Sequence, residues 1–88
     1  MERYYILYKG QVQGVGFRYT LIQIANKYKL TGFCQNLDNG NVLVEIQGEN
    51  INAFIKESLK ARSYIRIDDY MCKKIPLNES EEFFTAKY

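Results

Sequence analysis

Asp38-Asn39-Gly40 lies between two short alternating runs near the middle of the chain, and no other stretch constrains the fold as tightly. This triplet is a strong hairpin-turn signal, so the flanking runs are held as neighbours. Thr31 to Leu37 enters the turn, and Asn41 to Gln47 leaves it with Val42, Val44 and Ile46 on one face. On both sides of this hairpin the periodicity becomes helical. Leu21, Ile24, Ala25 and Tyr28 mark a helix over Phe17 to Leu30. Beyond Gly48, which ends the third strand, Ile51, Phe54, Ile55 and Leu59 mark a second helix, with Asn50 or Asn52 as its N-cap.

Further out, Arg3 to Val12 reads as the first strand, and Tyr64 to Ile75 as the fourth, less regular at Asp68-Asp69. Pro76 interrupts it, Asn78 to Glu82 is a polar loop, and Phe83 to Tyr88 is a short terminal strand. The order β-α-β-β-α-β predicts an α+β, ferredoxin-like sandwich with two helices on one face of a mixed, largely antiparallel sheet and a short extra C-terminal strand. Residues 1–88 read as a single domain, long enough for one core and without repeat or linker.

Composition removes several classes. A hydrophobic fraction of 47% with a single proline excludes a disordered chain. A net charge of +2 is too weak to attract nucleic acid or a membrane surface electrostatically. The N-terminus lacks the apolar core of a signal peptide, and no apolar run approaches the ~20 residues that span a bilayer. Cys34 and Cys72 form no CxxC pair and the chain has no histidine, so no zinc site is expected. Both cysteines sit in strand-like stretches and read as small buried thiols of a reduced, cytoplasmic protein.

The chemistry concentrates in Gly10-Gln-Val-Gln-Gly-Val-Gly-Phe-Arg18, a strand that runs into a glycine loop and then a helix. Gly14 and Gly16 permit a tight turn whose N–H groups converge, and the helix start adds unpaired N–H groups and the positive end of its dipole. Arg18 adds a planar fork for two phosphate oxygens. Glycine spacing alone favours an ordinary turn with a solvated arginine. In a split β-α-β unit, strands one and two run parallel with another between them, so their C-terminal ends share one edge of the sheet. Asn36, on the same face as Cys34, then stands beside the loop, eighteen positions after Arg18. It either holds a water there or satisfies backbone groups near the hairpin.

These residues resemble the acylphosphatases. Gly10-x-Val12-Gln13-Gly14-Val15-x-Phe17-Arg18 is similar to that family's first motif. Gly32-Phe33-Cys34-Gln35-Asn36, followed by Gly40, Val42 and Gly48, is similar to its second, and Phe84-x-Ala86-x-Tyr88 to its last strand. Two ordered motifs separated by a helix are far more specific than one glycine loop. The resemblance implies a metal-free, cofactor-free hydrolase that cleaves acyl phosphates to a carboxylate and inorganic phosphate. It implies that Arg18 binds the phosphate, that backbone N–H groups of Gln13, Gly14, Val15, Gly16, Phe17 and Arg18 surround it, and that Asn36 orients the attacking water. One departure is Tyr8, where the motif usually carries an aliphatic residue.

Two other classes fit parts of the pattern. One is a non-catalytic module that binds phosphate or carbamoyl phosphate, as such domains do within larger proteins. The other is an RNA binder using Tyr5 and Leu7 on the open sheet face, although the basic-aromatic signature of such modules is missing. Lys56, Glu57, Lys60 and Arg62 read as a solvated helix face, and the adjacent Asp68 and Asp69 point apart, which disfavours a paired acid/base site. The expected partner is a small acyl phosphate, with no nucleic acid or membrane partner, and the expected state is a monomer.

Overall fold

The computed structural model of the protein describes residues 1–60 and 64–87. Its elements are β1 (Glu2–Gln11), α1 (Phe17–Lys27), β2 (Thr31–Asn36), β3 (Val42–Gly48), α2 (Ile51–Ser58), β4 (Arg66–Ile75) and β5 (Phe84–Lys87). The strands form one sheet in the order β4-β1-β3-β2-β5. β3 runs antiparallel to both β1 and β2, so those two are parallel to each other with their C-terminal ends at one edge. This is the expected ferredoxin-like arrangement. The extra strand β5 pairs in parallel with β2.

Alternation decides which residues meet the helices. Ile6 and Tyr8 of β1, Cys34 of β2 and Val42, Val44 and Ile46 of β3 are buried with Phe17, Leu21, Ile24, Ala25, Ile51 and Phe54 of the two helices. Tyr8 replaces an aliphatic residue without leaving its oxygen stranded. Its ring packs edge-on against Phe17 with centroids 5.0 Å apart. Its hydroxyl lies 2.7 Å from Ser58 Oγ. Ser58 donates its own proton to the Ile55 carbonyl, so Tyr8 is the donor to Ser58. Burial pushes the Tyr8 phenol far above its ordinary pKa, which keeps it protonated.

The opposite face carries a buried polar network. Arg3 is only 2% exposed. Its guanidinium donates to Glu45 and to both oxygens of Glu81, the shortest bond being 2.6 Å. Gln47 exchanges two hydrogen bonds with the backbone of Asn78. These bonds tie the segment between β4 and β5 to the first and third strands as it crosses from one sheet edge to the other. Fork geometry on paired carboxylates is what makes a buried arginine tolerable here.

Several expectations need correction. The first helix ends at Lys27 rather than Leu30, because Lys29 turns left-handed (φ 56) and Leu30 is drawn into the core. Leu30 N–H then donates to the Ala25 carbonyl, closing the helix end. Asn50 does precede α2, yet it serves through its left-handed backbone (φ 60), not a side-chain cap. Cys34 is buried as expected, but Cys72 is exposed on the edge strand β4. Irregularity at Asp68-Asp69 is a bulge: the β1–β4 register shifts between Lys9 and Gly10. Arg62 and Tyr88 lie outside the described residues. No described helix is long and apolar enough to cross a membrane.

Candidate active site

The segment between β1 and α1 makes the turn that the glycines imply. Gly14 (φ 71) and Gly16 (φ 80) both occupy the left-handed region, where any Cβ introduces strain. Space is not the constraint, since nothing lies within 4 Å of a Cβ built at either position. Gly16 is the N-cap of α1, and its carbonyl accepts the first helical bond from Thr20 N–H. No described side chain caps this end by hydrogen bond, and the first turn holds no acidic residue. The first N–H groups and the positive dipole end therefore face the loop without a competing carboxylate.

Arg18 is the second residue of α1. Its backbone passes over β2, where the Cys34 thiol approaches the Arg18 carbonyl at 4.0 Å. Asn36, two residues further along β2 on the same face, is thereby brought beside the helix start. Val12, Gly14, Gly16, Phe17, Arg18, Tyr19, Ile22, Asn36 and Ala86 line one cleft of about 300 Å³. None of these residues is a carboxylate. Asn36 Oδ1 is buried and has no hydrogen-bond partner among the described residues. A buried carbonyl oxygen normally finds a donor, so this one is an exception to the usual pairing.

The structure thus gathers Gly14, Gly16, Phe17, Arg18 and Asn36 around one opening. The side chains of Gln13 and Val15 turn away from it, which leaves their expected backbone contribution untouched. Gln13 reaches the β2–β3 turn, donating to the carbonyls of Leu37 and Asn41 at 2.8 Å each. Val15 packs against the core. Burial raises the Cys34 thiol pKa to about 11 although Arg18 pulls the other way, so it remains an unreactive thiol at neutral pH. Sequence reasoning missed the apolar part of the cleft, Tyr19, Ile22 and Ala86. Ile22 stands one helical turn beyond Arg18, a spacing visible in the sequence, but Ala86 arrives only through the parallel docking of β5.

The sequence matches the acylphosphatase family model over residues 4–86. This chain belongs to the acylphosphatase family. It is 41% identical to an acylphosphatase of Clostridium acetobutylicum, covering 100% of this chain and 99% of that one. The fold agrees equally well with a crystal structure of acylphosphatase from Bacillus subtilis, with a TM-score of 0.94, 30% identity and full coverage of both chains. A similar unit also occurs inside a larger protein. Full-length HypF, solved with phosphate and nucleotide bound, matches with a TM-score of 0.91 and 32% identity over 99% of this chain but only 12% of its own length. Membership in this family makes the chain an enzyme, a hydrolase on a ferredoxin-like fold.

Proposed function

We propose that this acylphosphatase-family chain hydrolyses acyl phosphates at the cleft between α1 and β2. The observation that carries the reading is that Asn36, whose buried Oδ1 has no partner among the described residues, lines the same cleft as Arg18 and the start of α1. Backbone N–H groups from Gln13 to Arg18, together with the Arg18 fork, bind the phosphoryl oxygens and take up the charge that develops on them. The Asn36 side-chain amide holds a water and aims its oxygen at phosphorus, opposite the acyl oxygen.

Attack forms a phosphorus–oxygen bond to water and breaks the bond to the acyl oxygen. A carboxylate leaves, and it needs no proton, which suits a cleft without a carboxylic acid or histidine in its wall. The water's proton passes to a phosphoryl oxygen, so the products are carboxylate and inorganic phosphate. Residues Tyr19, Ile22 and Ala86 receive the acyl part. They offer mainly contact area, with the Tyr19 hydroxyl as their one polar side-chain group, so the cleft recognises the phosphoryl end closely and the acyl end loosely.

Phosphate release from a panel of acyl phosphates, with phosphomonoesters as controls, tests the reading. Acyl phosphates should turn over far faster than monoesters, because an alkoxide leaving group requires a proton and the cleft lining holds no carboxylic acid or histidine to supply it. Absence of phosphate release from every acyl phosphate would overturn it.

A further inference from the structure

We infer that Gln13, through its side chain, is the positioning residue that fixes Asn36 relative to the phosphate loop. The inference rests on the water-holding reading of Asn36 given above. In the sheet, β1 and β2 are separated by β3, so their C-terminal ends stand roughly 9–10 Å apart with no ladder bond between them. Pairing of β1 with β3 stops at Tyr8 and Val42, leaving the loop side of β1 without that support. Gln13 spans this interval. Its amide nitrogen donates both hydrogens, one to Leu37 O and one to Asn41 O, 24 and 28 positions along the chain.

Both acceptors belong to the mouth of the hairpin. Leu37 N–H donates to Asn41 O, and Gly40 N–H donates to Leu37 O, so each carbonyl uses its second lone pair for Gln13. Two acceptors also settle the amide orientation, because the Gln13 oxygen cannot face either of them. Leu37 directly follows Asn36, and Gly14 directly follows Gln13. One side chain therefore joins the residue beside the water site to the residue that opens the anion site. Shortening, losing or reversing that brace would displace the water from the phosphorus axis while leaving the loop's own N–H groups in place.

The test is Gln13→Met, which keeps length and loses both donors, read in wild-type and Asn36→Ala backgrounds. On folded protein, kcat should fall by roughly 10- to 100-fold, the penalty of a nucleophile misplaced by about 1 Å. Inhibition by inorganic phosphate should stay within about twofold of wild type. In the Asn36→Ala background, Gln13→Met should cause no further loss of kcat, because the two residues act as a unit. A full additional loss there, or weakened phosphate binding with kcat kept, would overturn the brace. If instead Asn36→Ala alone keeps its kcat, the water-holding reading fails first, and the two failures are told apart. For protein that cannot be refolded as a variant, side-chain amide exchange in the unmutated enzyme decides. Protected Gln13 protons support the brace, and exchange as fast as a free amide overturns it.

Discussion

The phenol oxygen of Tyr8 and the hydroxyl oxygen of Ser58 lie 2.7 Å apart inside the core, joining the first strand to the second helix. Ser58 already donates to Ile55, so the bond runs in one direction only. Tyr8→Phe should therefore cost about 1 kcal/mol, the net worth of one hydrogen bond with little left unsatisfied. Ser58→Ala should cost more, up to about 3 kcal/mol, because it strands a buried phenol. Denaturant midpoints measure both, and equal losses would contradict the direction assigned to the bond.

Arg18→Ala should lower kcat/KM by at least about 100-fold, as expected for removing charge stabilisation from the transition state. Arg18→Lys should restore little, since a point charge does not reproduce a fork. Thermal unfolding should change little in either variant. Near-normal turnover of Arg18→Ala would place the phosphate elsewhere.

Asn36 separates positioning from binding and from folding. Asn36→Ala should lower kcat about 100-fold with product-phosphate affinity nearly unchanged. Its stability should fall by less than about 1 kcal/mol, because Oδ1 has no hydrogen bond to lose. Asn36→Asp, by placing negative charge beside an anion, should weaken phosphate binding as well. Were the residue a hairpin support instead, Asn36→Ala would unfold more easily and remain active.

Gly14→Ala isolates backbone conformation from steric fit. The site is open, so the cost arises only from the left-handed φ and should be about 1–2 kcal/mol, or an equivalent shift of the loop. Loss of stability would appear in the unfolding midpoint, and a shifted loop as weaker inhibition by inorganic phosphate. A variant unchanged in both would show that the loop does not need this angle.

Lys27 and Glu57 set a pH dependence between the helices. The hydrogen bond from Lys27, reinforced by Tyr28, holds the Glu57 carboxyl below its usual range. The same bond raises Lys27 above its own. A depressed carboxylate contributes stability above its unfolded pKa of about 4.3, and loses it as pH falls through the folded value. A raised lysine contributes below about 10.4 and loses its share as pH rises through the folded value. Glu57→Gln should flatten both flanks of the stability profile, and added salt should do the same in part, because Lys27 is solvent-exposed.

Alternation and helical period were enough to place every strand and helix within a few residues, because the helices and the inner strands each set apolar residues at a regular period toward the core. What escaped notice shares a different cause. Lys29 stops α1 through a backbone angle that no periodicity reveals. Arg3 reads as an ordinary charged residue at a strand start until topology brings Glu81 to it. Cys72 has the strand setting of a buried thiol, but the outermost position of β4 leaves it in solvent. Arg18 and Asn36 were legible as neighbours because the parallel relation of β1 and β2 follows from element order. The apolar cleft wall was not, since Ala86 depends on which edge receives the last strand.

The bond between Arg3 and Glu81 joins positions 78 apart in the sequence, close to both ends of the chain. Contacts of such range form late and slowly, because a large loop must close before they return any free energy. The same closure seats β5 and completes the cleft with Ala86. Regain of enzymatic turnover after dilution from denaturant should consequently trail the recovery of helical signal, making activity a clock for the last event of folding rather than the first.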